Sequence, residues 1–72
     1  MTKEVFLKKL GDRISELRTN QSLSQTDLAH MCNWDRQTLH KIEKGKVNTT
    51  IYILYKISSE LNITLNELLN FE

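Results

Sequence analysis

Three times in this chain an apolar residue precedes an oxygen-bearing one, and a leucine follows four positions after the second. The instances are Leu23-Ser24 with Leu28, Trp34-Asp35 with Leu39, and Ile63-Thr64 with Leu68. Each has the form of a helix start: the cap oxygen accepts from an otherwise orphaned backbone N–H, and the two apolar residues fix the entry angle. Ser24 with Asp27 and Thr64 with Glu67 add the third-position acid of a capping box. There is no proline, and no stretch alternates apolar and polar residues with period two, so the chain is expected to be all helix.

Helical spacing of Phe6, Leu10, Ile14 and Leu17 places a first helix over Lys3 to Thr19, weakened but not ended by Gly11. A second follows the Ser24 cap through Cys32. Asn33 suits the left-handed conformation that stops a helix. A third follows Asp35 and stops before Gly45. Thr50 caps a fourth to about Leu61, and Thr64 opens a short fifth to about Asn70.

At 72 residues this is one small domain over 1–72, near the lower limit for a self-sufficient core, which favours dimerisation and argues against an enclosed catalytic pocket. The net charge of +1 is unevenly spread. Arg36, Lys41, Lys44 and Lys46 outweigh Asp35 and Glu43 in the middle, whereas Glu60, Glu67 and Glu72 outweigh Lys56 towards the end. A single cysteine cannot form an internal disulfide, and the charges in "MTKEVFLKKL" break it up too often for a signal peptide or membrane span. A soluble, cytoplasmic protein without membrane association is expected.

The third helix carries the functional signal. At about 100° per residue, Leu39 and Ile42 share its buried side. Opposite them Gln37, His40, Lys41 and Lys44 form a stripe of hydrogen-bonding or cationic side chains, with Arg36 beside it and no acid on it. A solvated helix face would look similar. Two features point elsewhere: a short helix and a tight turn precede it, an arrangement that holds a recognition helix proud of its domain, and the side chains suit major-groove chemistry. Arg and Lys donate to guanine O6 and N7, and Gln pairs with adenine N6 and N7.

From Leu17 to about Leu69 the sequence resembles the Cro and phage-repressor type of helix-turn-helix domain, also found in restriction-modification controller proteins and antitoxins. The resemblance rests on Leu17 and Arg18, "LSQTDLA" at 23–29, "TLHKIEKGK" at 38–46 and "IYILYKISSELNITLNELL" at 51–69. It implies a five-helix lambda-repressor-like fold with the helix-turn-helix at the second and third helices. It also implies a sequence-specific regulator of transcription that binds double-stranded DNA. By residue, it places Arg36, Gln37 and Lys41 at base edges, with His40 and Thr38 as further contacts, and Gln25, Lys44, Lys46 and Asn48 on the DNA backbone. Arg18 and Glu43 match an internal salt bridge. Two positions depart from the pattern: Asn33 replaces the usual turn glycine, and Trp34 replaces a small aliphatic residue, where a staple with Leu39 is its expected role.

Other chemistry fits poorly. His30 and Cys32, two apart on one helix, cannot share a metal ion, and Cys32 falls where a core residue belongs. Ser24 is accounted for as a cap, and nothing supplies an oxyanion hole, so neither catalysis nor a cofactor is expected. Ile51, Leu54, Ile57 and Leu61 form an inward stripe on the fourth helix. Tyr52, Ile53 and Tyr55 are left over, and Leu69 and Phe71 can extend them into a homodimer interface. The rival reading is a protein-binding module, and an antitoxin, holding a toxin on one surface and an operator on the other, would combine the two.

Overall fold

The computed structural model describes residues 1–72 as five helices without a strand: α1 (Lys3–Asn20), α2 (Gln25–Met31), α3 (Arg36–Glu43), α4 (Ile51–Glu60) and α5 (Leu65–Leu68). Every helix begins at a side-chain cap. Ser24 and Asp27, and Thr64 and Glu67, form the two reciprocal capping boxes, and the Asp35 and Thr50 oxygens accept from the Thr38 and Ile53 N–H groups. The first cap, Thr2, lacks the leucine four positions on that marks the others in the sequence, and accepts from the Val5 N–H.

Four helices end in the same way. Ser22, Asn33, Gly45 and Asn62 adopt positive φ, and the following residue donates to a carbonyl five residues back along the chain: Leu23 to the Arg18 carbonyl, Trp34 to Ala29, Lys46 to Lys41 and Ile63 to Ser58. This left-handed stop satisfies carbonyls that the helix leaves open. At Asn33, with φ of 61°, asparagine does the work expected of it. The fifth helix is shorter than expected because Leu69 already leaves the helix.

The core comprises Leu10, Ile14, Leu28, Ala29, Cys32, Leu39, Ile42, Leu54, Ile57, Leu61 and Leu68. Trp34 is half-buried against this cluster, which contains Leu39, as a staple requires. Burial raises the Cys32 thiol pKa, which keeps it protonated as a small apolar group.

Two expected stripes are corrected. On α1 the buried line is Leu7, Leu10, Gly11, Ile14 and Arg18; Leu17 is half-buried, and Phe6 is exposed along one side, with its ring 5.6 Å from that of Phe71. On α4, Leu54, Ile57 and Leu61 point inward, but Ile51 is 63% exposed and Ser58 takes the buried place. Ser58 fits there because its hydroxyl donates to the Tyr55 carbonyl within the helix.

Gly11 is where α1 crosses α3. A Cβ there would collide with the Glu43 backbone carbonyl and lie 2.8 Å from the Ile42 oxygen, so the helices touch backbone to backbone. Arg13 of α1 also donates to the Glu67 carbonyl of α5 at 2.8 Å, and Gln21 to the Leu61 carbonyl at the end of α4 at 2.7 Å. No helix is long and apolar enough to cross a membrane.

Candidate nucleic-acid interface

The seat of α3 is built around one carboxylate. Glu43, 5% exposed, accepts from Arg18 Nε at 2.8 Å and Nη2 at 2.9 Å, the paired geometry in which guanidinium and carboxylate bond most strongly. Arg18 spends two further hydrogens on the Leu23 carbonyl and the Ser15 hydroxyl. The bond to Glu43, more than its charge, raises the Arg18 pKa further, so the guanidinium stays charged. The structural pair expected between Arg18 and Glu43 is therefore present and buried.

Gln25 joins it. Its side-chain amide, expected to reach for DNA, donates to Glu43 Oε1 at 3.0 Å. One carboxylate thus links α1, the start of α2 and the end of α3. This use of Gln25 left no signal in the sequence, because nothing in the spacing of Gln25 and Glu43 relates them. The amide's second hydrogen is uncommitted, so the bond to Glu43 leaves one donor for an outside acceptor.

Above this seat α3 buries Leu39 and Ile42, as expected, and exposes Arg36, Gln37, Lys41 and Lys44. None of these four makes an ion pair or a side-chain hydrogen bond within the chain, and the same holds for Lys46 and Asn48 on the exposed loop that follows. Six residues in this region keep free donors on the surface: Arg36, Gln37, Lys41, Lys44, Lys46 and Asn48. The acid that caps α3, Asp35, is occupied: the backbone N–H and hydroxyl of Thr38 both donate to its Oδ1 at 2.8 Å, which holds the carboxyl below the usual range.

Two expected contacts are differently placed. His40 is half-buried; it borders a polar crevice with Lys8, Asp12, Ser15 and Lys44, and its Nδ1 is closed to solvent, so it lies off the open stripe. Thr38 is exposed, but its hydroxyl hydrogen is spent on Asp35. Gly45, at φ 72°, brings the loop against α1, where a Cβ would lie 2.9 Å from the Lys8 backbone.

The expected dimer surface is smaller than the sequence suggested. Tyr52 and Tyr55 are 65% and 56% exposed, with ring centroids 6.3 Å apart, and exposed Ile51 adjoins them in place of the expected wider patch. Ile53, Leu69 and Phe71 are half-buried against the chain's own core. On α2, His30 is exposed and Cys32 buried, so the two face apart.

Comparison with known proteins agrees with this geometry. Residues 14–68 match the helix-turn-helix family. The control protein C.MunI of a Mycoplasma species is 39% identical over 61 residues, covering 83% of this chain and 82% of that protein. The crystal structure of the restriction-modification controller protein C.AhdI from Aeromonas hydrophila superposes with a TM-score of 0.83 at 37% identity, covering 86% of this chain and 94% of that one. The controller protein C.Esp1396I, solved as a tetramer in complex with its natural 35 base-pair operator, gives a TM-score of 0.79 at 31% identity over 89% of this chain and 88% of its own. With the buried Arg18–Glu43 seat, the left-handed turn at Asn33 and the exposed α3 stripe, the chain belongs to the helix-turn-helix family of DNA-binding transcriptional regulators.

Proposed function

We propose that this regulator reads double-stranded DNA as a homodimer, with α3 in the major groove of each half-site of an inverted repeat. The observation that carries the reading is the open face of α3: Arg36, Gln37, Lys41 and Lys44 are exposed and unpaired, on a helix whose opposite side is anchored by a buried ion pair. Holding the donors on a rigid seat lowers the ordering cost of binding. Arg36, Gln37 and Lys41 are the base-edge readers. Gln25, Lys44, Lys46 and Asn48 hold the backbone, whereas Thr38, whose hydroxyl hydrogen goes to Asp35, has none left for a phosphate. His40 supports the side of α3 nearest α1.

Two copies pair through Ile51, Tyr52 and Tyr55, with Ile53, Leu69 and Phe71 forming the floor behind them. The operator complex of the C.Esp1396I tetramer supports assembly on DNA, and none of the three relatives named above is described as an antitoxin, so a toxin partner has no comparable support. This work needs no catalysis, and it places the protein with the DNA, in the cytoplasm.

Selection of bound sites from random duplexes by the pure protein tests the reading. The expected result is an inverted repeat with half-site centres about 10 bp apart or a near variant of one helical turn. Binding that is indifferent to sequence, or selected sites without a dyad from a protein that is monomeric at micromolar concentration, would defeat it.

A further inference from the structure

Between the outer flank of α3 and the loop that follows lies a groove of about 280 Å³ that the polar stripe does not account for. Ile42, Val47 and Ile53 give it an apolar wall, and Thr38, Lys41 and Asn48 are among the residues at its rim. It is lined by one cation and no acid. Among its polar lining groups, the Thr38 hydroxyl has its hydrogen committed to Asp35. An apolar hollow beside an unopposed ammonium suits an anionic partner that carries a small apolar group next to a hydrogen-bond acceptor.

Resting on the DNA-binding reading above, we infer that this groove reads thymine, with Val47 packing against the C5 methyl and Lys41 donating to the neighbouring O4. In the major groove thymine alone presents that pair of groups. Cytosine places an N4 amino donor where Lys41 needs an acceptor, and it lacks the methyl. Val47 thereby becomes a specificity-determining residue although it lies outside the recognition helix and carries no polar atom in its side chain. A deoxyribose ring could also fill the space, but every nucleotide has one, so it would not discriminate between bases.

The test uses the duplex selected from the random pool, with thymine replaced by uracil one position at a time. Uracil removes the methyl and keeps O4. One position in each half-site should lose affinity by about four-fold, the ratio expected for withdrawing one buried methyl-sized group from apolar contact. Replacing that thymine by 5-methylcytosine should weaken binding more than uracil does, because the methyl stays while the acceptor is lost. Val47→Ala, at a loop position already 36% exposed, should leave the fold intact by circular dichroism and remove the thymine–uracil difference at that position alone.

A flat uracil scan overturns the inference and leaves the DNA-binding reading standing, whereas absence of any selected duplex overturns both. A flat scan in which Val47→Ala weakens all duplexes equally assigns the groove to a sugar ring. One in which Val47→Ala shifts the dimer to monomer assigns it to the second copy. A thymine–uracil difference that survives Val47→Ala places the methyl elsewhere. Each of these last three results also overturns the inference.

Discussion

Truncating Arg18 should cost this protein a large share of its stability. In Arg18→Ala the Glu43 carboxylate, 5% exposed, keeps a neutral amide from Gln25 at 3.0 Å and has no counter-charge. Breaking one side of a buried pair costs about 3–5 kcal/mol, against about 0–1 kcal/mol for an exposed one. The Leu23 carbonyl also loses its side-chain donor. At roughly 0.05–0.15 kcal/mol per residue a chain this short has on the order of 4–11 kcal/mol in total. With about 4–8 °C of Tm for each kcal/mol in a domain of this size, the melting temperature should fall by about 12 °C or more. The double variant Arg18→Met with Glu43→Leu removes both charges and should melt above Arg18→Ala, since apolar replacement of a whole buried pair is often neutral or stabilising. Circular dichroism melts at one fixed protein concentration decide it, because dimerisation makes Tm concentration-dependent. An Arg18→Ala protein within about 4 °C of the parent, less than about 1 kcal/mol, would refute the reasoning; so would a double variant that melts below the single.

Further outcomes follow from the same geometry. Gly11→Ala should destabilise, because overpacking against the α3 backbone costs about 1–3 kcal/mol or more and outweighs the roughly 1 kcal/mol gained in helix propensity; a raised Tm would show that the helices separate freely. Gln37→Ala should relax base preference at one operator position by about 1–3 kcal/mol, whereas Lys46→Ala should weaken all sequences alike and make the log-affinity against log-salt slope shallower by roughly 1 per subunit. If Lys46→Ala alone changes base preference, the wrong surface faces the DNA. The carboxyls of Asp27, Asp35 and Glu67 are held below their usual range by the backbone N–H groups of Ser24, Thr38 and Thr64. Their folded pKa values are depressed, so the stability they contribute is present above their unfolded values, about pH 4, and is lost as pH falls through the folded ones. Tm should be level from neutrality to about pH 5 and decline below about pH 4, and Asp27→Asn should shrink that acid limb.

Helix starts were the most legible part of the fold, because a cap and its staple are local and four residues wide. Ser24, Asp35, Thr50 and Thr64 each cap the helix expected of them. Faces were less legible where the buried line includes residues a hydrophobic reading skips. Gly11 and Arg18 complete the inward side of α1, which turns its true line onto Leu7 and leaves Phe6 to meet Phe71 from the far end of the chain. On α4, Ser58 is buried and Ile51 exposed, against side-chain polarity, because the register of the helix is set by Leu54, Ile57 and Leu61 together. At the site, the exposed donors of α3 could be read from helical spacing. The bond from Gln25 to Glu43 and the half-burial of His40 could not, since both depend on how α1, α2 and α3 cross.

The contact at Gly11 also separates two tasks within α3. The helix is seated by its own main chain at Ile42 and Glu43 and by the Glu43 carboxylate, and none of those atoms belongs to Arg36, Gln37 or Lys41. The outward residues are therefore free to vary without moving the helix that presents them. Rewriting those three positions changes the address that is read while the reader keeps its pose, so a chain built this way can acquire a new operator in a few substitutions and pay little in stability for each.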